Sequence, residues 1–356
     1  MKIACIGYLH GAGGAERQII MLANALSERG HEVHLAILAE NKSNYDINAK
    51  VGIHDLTNVE AENGNKILNR FHALKKLLNA LRPDISIHYW LQSAYFCALM
   101  GKSVSGKIIY SERGDPGDEE YRGLLGIIRH IAFKRVDGFV FQSEGARDFF
   151  GNKVRAKSIV IHNSVAVPKG EFLEPCKTRE NRIVNVGRLH PQKNQMLLIE
   201  AFADISNDFP KFTLEIYGEG KLQELLEKRI KDAGLEERVF LRGAVNDILD
   251  KIYTASLFVL SSDYEGMPNA LMEAMAIGVP CISTDCRPGG ARTLIQNGIN
   301  GWITPASDKN ELAKQMAAVL RSPLNAEKVA REALKIRDTH TSEAVFCAWE
   351  DFLKEC

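Results

Sequence analysis

Short apolar runs separated by longer segments of helical period recur along nearly the whole chain, in two successive series. That alternation leaves few folds open. A strand that is apolar throughout needs cover on both faces, and a parallel neighbour needs a helical crossover. In the first series the predicted strands are 2–7, 32–38, 84–88, 107–111, 138–142 and 158–161, with helices clearest over 15–29, 66–81 and 122–135. Residues 163–181 break the rhythm with Pro168 and Pro175 and mixed polarity, which predicts a linker. The second series has strands near 182–187, 212–217, 238–241, 256–261 and 279–283. The expectation is an α/β chain of two Rossmann-like, doubly wound parallel-sheet domains, 1–165 and 166–340, facing a cleft. A last helix over 341–356 is free to pack back on the first domain; its Val345, Phe346, Trp349 and Phe352 read as core.

A length of 356 residues favours two cores over one. Charged residues make up 25% of the chain and Lys+Arg and Asp+Glu are both 45, a composition that predicts a globular protein with no nucleic-acid partner. The balance is uneven along the chain. The first 165 residues hold 21 basic and 17 acidic residues, leaving 24 and 28 for the rest, or +4 against −4. Seven scattered cysteines without a CxxC pair predict a reducing compartment and no zinc site. The start of the chain lacks a signal-peptide pattern and no apolar run reaches membrane-spanning length, so the expected location is cytoplasmic.

Three segments carry chemistry. After the first strand, Gly11, Gly13 and Gly14 open a helix, a place where free N–H groups favour an anion, although the spacing fits neither standard nucleotide fingerprint. After the strand at 182–187, Arg188 and Lys193 stand five apart across a turn, with Lys193 expected in the first turn of the next helix, against the macrodipole. Two such cations suit a diphosphate, one as a fork and one as a point charge. After the strand at 256–261, Glu265 falls in a loop and Glu273 in the helix beyond Pro268, so the two carboxylates are not a pair flanking one bond. The N–H groups of Gly266, Met267, Asn269, Ala270 and Leu271 are available to a phosphorylated or hydroxyl-rich ligand, and Glu273 suits ribose hydroxyls. Asp263 has no assigned partner and reads as solvated.

Together these segments resemble the retaining glycosyltransferases of family 4, whose fold is GT-B. The resemblance rests on Gly13 and Gly14, Arg188 and Lys193, and above all Glu265 and Glu273 ahead of Ala274 to Pro280. It implies a hexosyltransferase that takes a nucleotide sugar, by family frequency a UDP-linked hexose or N-acetylhexosamine, and needs no metal or other cofactor. The implied acceptor is a saccharide or polyprenyl-linked saccharide in bacterial surface-glycan synthesis. In the family's pattern Arg188 and Lys193 neutralise the diphosphate, Glu273 holds the ribose, and Glu265 with the backbone of Gly266 to Leu271 holds sugar and phosphate. Gly218 in YGEG and the turn from Gly243 to Val245 match segments bordering the base, and Gly13 and Gly14 admit the donor phosphates and acceptor. Many members carry a His after the strand that is 107–111 here. This chain has Ser111 and Glu112 instead, as some relatives acting on lipid-linked oligosaccharides do, leaving Glu112, Arg113 and His88 as candidates for that contact. The same fold also serves nucleotide-sugar epimerases, which lack this combination, and pyridoxal phosphorylases; a catalytically idle nucleotide-sugar-binding module is a further reading.

The segments 66–82 and 122–135 are basic and amphipathic, a pattern most often of helices packed on a sheet with basic residues outward, and otherwise of helices lying in an anionic membrane interface. The second possibility predicts peripheral binding at the cytoplasmic leaflet.

Overall fold

The computed structural model describes residues 1–356 apart from 10–12, 42–44, 58–65, 102–103, 105, 119–120, 166–171, 173–175 and 177, and apart from the side chains at 40 and 41. The chain forms two compact units, Met1–Asn163 with Glu343–Cys356, and Ser164–Ser342. Much of the segment expected to link them lies outside the described residues.

In chain order the first unit runs β1 (Lys2–Leu9), α1 (Gly14–Glu28), β2 (Glu32–Asn41), β3 (Gly52–Asp55), α2 (Lys66–Leu81), β4 (Ile85–His88), α3 (Leu91–Met100), β5 (Lys107–Ser111), α4 (Leu124–Phe133), β6 (Gly138–Phe141), α5 (Glu144–Asp148), α6 (Asn152–Arg155) and β7 (Ser158–Val160). All strands pair in parallel, in the order β3-β2-β1-β4-β5-β6-β7. Both faces are covered, as the continuous apolar runs require. On one side Ile3, Cys5, Ile87 and Ile109 pack with α1; on the other Ala4, Ile6, Ile108 and Tyr110 pack with α2 and α3.

The second unit runs β8 (Glu180–Val186), α7 (Gln195–Ile205), β9 (Thr213–Tyr217), α8 (Gln223–Asp232), β10 (Val239–Gly243), α9 (Ile248–Ile252), β11 (Ala255–Leu260), α10 (Asn269–Ala276), β12 (Cys281–Thr284), α11 (Gly290–Leu294), β13 (Trp302–Thr304), α12 (Lys309–Arg321), α13 (Pro323–Ala333) and α14 (Ile336–Thr339). Its six strands are parallel in the order β10-β9-β8-β11-β12-β13. The last helix, α15 (Ser342–Glu355), buries Val345, Phe346, Trp349 and Leu353 in the first unit's core, with Phe352 only partly covered.

Two strands escaped the sequence reading. β3 is a four-residue edge strand with alternate residues exposed, and β13 has three residues, so neither presents an apolar run long enough to register. In both sheets the strand order reverses beside the first strand, between β1 and β4 and between β8 and β11. Loops leaving the carboxyl ends of those strands diverge there and leave room for a ligand.

Candidate active site

In the second unit the loops after β8 and β11 leave neighbouring strands at the reversal, and their backbones are stitched together. Asp263 N–H donates to the Gln192 carbonyl at 2.9 Å, the Gln192 side-chain amide to the Tyr264 carbonyl at 2.9 Å, and the Ser261 hydroxyl to the Lys193 carbonyl at 2.9 Å. Lys193 and Glu265, 72 residues apart in sequence, meet on this frame with Nζ 2.5 Å from Oε1. The Ser262 hydroxyl donates to the same Oε1 at 2.7 Å. Glu265 is buried and Lys193 mostly so, with the lysine stem lying over Gly187.

The sequence reading placed Lys193 in the first turn of a helix. It ends instead a short 3-10 turn, Pro191–Lys193, and Asn194, with φ 43°, separates it from α7 and caps that helix through Leu197 N–H. The anion drawn to this position within the protein is Glu265. Asp263 is not simply solvated either: its carboxylate accepts from Asn194 Nδ2 at 2.9 Å and from the Ser307 hydroxyl at 3.0 Å, holding the two loops in register. Arg188, the other predicted cation, is exposed, and its guanidinium has no partner among the described residues, while its carbonyl accepts from Gln195.

Beyond Glu265 the chain passes through buried Gly266 and Met267 to Pro268, whose place at the N-cap supplies no side-chain acceptor to α10. The first intrahelical donor is Met272, to the Pro268 carbonyl at 3.1 Å, so the N–H groups of Ala270 and Leu271 lie ahead of the helical ladder. Glu273 is half-buried on α10, one turn beyond Asn269 and on its face. Gly290 comes so close to this loop that a Cβ there would stand 1.9 Å from the Gly266 carbonyl oxygen. Glu265 N–H donates to the Arg287 carbonyl at 2.7 Å. Sequence reasoning missed Ser262 and Gly290; the Gly289-Gly290 pair after β12 was the available signal.

Gly218 and Gly243 are joined by a hydrogen bond of 2.8 Å, which sets the turn containing Gly218 beside the turn that leads to half-buried Val245. Gly218 has φ 137°, and a Cβ there would meet the Gly187 carbonyl oxygen at 2.1 Å, so only glycine lets this turn lie against the loop that carries Arg188.

In the first unit Gly13 caps α1 and Gly14 begins it, but the Gly13 N–H donates to the Glu16 carboxylate at 3.2 Å. A carboxylate of the chain itself therefore sits at this helix start. The residues just before, including Gly11, lie outside the described set. Glu112 is buried and accepts from the Tyr110 hydroxyl at 2.9 Å and from Arg113 and Gly114 N–H at 3.1 and 3.0 Å. Burial pushes its carboxyl above the usual range, against the pull of these donors. Arg113 lies 4.0 Å from the Tyr89 ring centroid and 5.7 Å from that of Trp349, and donates to Asn163 at 3.0 Å. His88 is fully buried against Ser86, at 3.1 Å from its hydroxyl, and burial pushes its imidazole down to about 3. It is a neutral core histidine and presents nothing to solvent.

Residues 12–167 match the profile of glycosyltransferase family 4, and residues 172–336 that of glycosyl transferases group 1. An uncharacterized glycosyltransferase of Haemophilus influenzae is 23% identical over 344 residues, covering 96% of each chain. The Campylobacter jejuni N-acetylgalactosamine-N,N'-diacetylbacillosaminyl-diphospho-undecaprenol 4-alpha-N-acetylgalactosaminyltransferase is 29% identical over 337 residues, 90% of each chain. Among solved structures, Anabaena HepE in complex with UDP-glucose superposes with a TM-score of 0.83 at 18% identity, over 100% of both chains. With both profiles in tandem and two doubly wound parallel sheets, the chain belongs to glycosyltransferase family 4 and has the GT-B fold.

Proposed function

We propose that this glycosyltransferase moves a hexose or N-acetylhexosamine from a UDP-linked donor to a saccharide or polyprenyl-linked saccharide, with retention of anomeric configuration and without a divalent metal. The observation that carries the reading is the gathering, at one strand-end reversal of the second unit, of an exposed guanidinium, a Lys193–Glu265 pair and an uncapped helix start. Support for UDP comes from HepE, crystallised with UDP-glucose on the same fold, and for the acceptor from the Campylobacter relative, whose name specifies a diphospho-undecaprenol saccharide.

In this reading Arg188 and Lys193 face the donor diphosphate, and Lys193 divides its charge between that group and Glu265. The Ala270 and Leu271 N–H groups take a phosphate oxygen, Glu273 the ribose hydroxyls, and Glu265 with Gly266 and Met267 the sugar. Gly218 and Val245 border the base, while Gly13, Gly14 and Glu112 serve the acceptor side. As the bond between C1 and the phosphate oxygen breaks, charge grows on the diphosphate, where fixed cations stabilise it most. The acceptor oxygen bonds to C1 on the face the phosphate leaves, and the acceptor proton passes to that phosphate. No protein carboxylate is needed as the base. NMR of the first-formed product, with EDTA present, tests this: retained anomeric configuration and undiminished turnover are expected. An inverted product or activity lost to EDTA overturns it, and binding of UDP-sugars without turnover of any acceptor leaves a binding module. The site of action is the cytoplasmic side, where nucleotide sugars are made.

A further inference from the structure

β9 buries a carboxylate at the middle of the strand. Glu215 is 5% exposed and stands apart from the loops that gather Lys193 and Glu265. It accepts from the Tyr217 hydroxyl at 2.7 Å, from Arg182 Nη1 at 2.8 Å, and from Arg242 Nη2 and Nε at 2.6 and 3.2 Å. Burial pushes its carboxyl up, but these donors outweigh burial and hold it below the usual range. Apolar side chains of like volume often stabilise an interior as well as such an ion cluster does, so what the cluster adds is fixed geometry.

The geometry it fixes lies at two turns. Tyr217 immediately precedes Gly218, and Arg242 immediately precedes Gly243. Two of the side chains that hold Glu215 are therefore the last ones before the turns joined by the Gly218–Gly243 hydrogen bond. Both glycines have positive φ, 137° and 71°, and neither has a side chain to anchor the turn it opens. Arg242 supplies that anchor. Its guanidinium lies 4.5 Å from the Phe240 ring centroid and closes with two donors on one oxygen of Glu215, so stacking and charge fix the same group. Arg182 binds the other oxygen and ties it to the Lys251 carbonyl and the Thr254 hydroxyl. A pocket of ≈ 440 Å³ has Tyr217, Arg242 and Val245 together in its wall, so the held side chains and the far end of the Gly243 turn share one surface.

We propose that Glu215 is a positioning residue for the donor base: through Tyr217 and Arg242 it sets the turns at Gly218 and Gly243, and with them the backbone edge that selects the base. This role rests on the reading above that these turns border the base of a nucleotide donor. Calorimetric titration of the wild type, Arg242→Ala and Glu215→Gln with UDP, GDP, ADP and pyrophosphate tests it. The wild type is expected to favour UDP. Arg242→Ala is expected to fold as the wild type does, since this side chain is 44% exposed and Arg182 still neutralises Glu215. It is expected to lower the preference for UDP over GDP and ADP by about tenfold while pyrophosphate affinity holds. Glu215→Gln, which keeps an acceptor for Tyr217 but loses the charge that draws Arg242, is expected to lower the preference in the same sense. A wild type that favours GDP or ADP overturns the UDP reading alone, and the favoured base then takes the place of uracil in the comparison. The positioning role is overturned by a base preference that Arg242→Ala leaves intact, by equal losses across all four probes, or by a wild type without preference among the bases.

Discussion

The two units repeat one strand-order reversal, yet they treat the helix start beside it in opposite ways. In the first, α1 opens at Gly13 and Glu16 folds its carboxylate back onto the free N–H, so an anion of the chain fills the place. In the second, α10 opens at Pro268, which offers no side-chain acceptor, and the loops after β8 and β11 carry the Lys193–Glu265 pair and the exposed Arg188 guanidinium. The same backbone geometry thus holds a carboxylate of the chain in one unit and lacks a side-chain cap from its N-cap residue in the other.

The comparison breaks most visibly at the ion pair. Lys193→Met leaves Glu265 buried without its cation and is expected to lower stability by about 3 kcal/mol in denaturant melts, with Glu265→Gln costing much less because the Ser262 hydroxyl still has an acceptor. Equal losses for the two variants would mean that the pair is not the buried unit described. Next comes the loop against which α11 is set. Gly290→Ala pushes a methyl into the Gly266 carbonyl, and a cost of about 2 kcal/mol with slower transfer is expected. A neutral result would show that the loop yields freely.

At the start of α1, Glu16→Ala removes the internal acceptor and is expected to cost about 1 kcal/mol while leaving UDP affinity as it was. A rise in UDP affinity would show that the first unit binds the same anion once that acceptor is gone. A separate effect is on the slope of stability with pH. His88 is held down to about 3 in the folded chain against an ordinary 6.5, so between those values the unfolded chain binds the extra proton. Stability is therefore lost as pH falls from 6.5 towards 3. His88→Gln is expected to flatten Tm against pH over that window, whatever its effect on Tm itself; an unchanged slope would place the imidazole in contact with water.

Most strands of both units were legible because short apolar runs bounded by turn residues alternate with longer segments of helical period, whereas β3 and β13 present no such run. The Lys193–Glu265 pair was not, because the residues are 72 apart and meet only where β8 lies beside β11. The strand order of doubly wound sheets contains that adjacency, and applying it to the loops after the first and fourth strands of the second series would have joined them. Asp263 escaped for the same reason, since its partner Asn194 lies on the other loop. Leu124, Ile127 and Ile131 of α4 are exposed where Leu74 and Leu78 of α2 are buried, a contrast undecidable in sequence, where the pattern of residues 122–135 and that of α2 look alike; only packing on the sheet separates them.

Calorimetric titration with UDP tests most directly the claim that the uncapped helix start in the second unit, with its two cations, is the diphosphate site. Arg188→Ala and Lys193→Ala are each expected to weaken UDP binding about tenfold or more, equivalent to about 1.4 kcal/mol. Wild-type affinity in both variants would contradict the account.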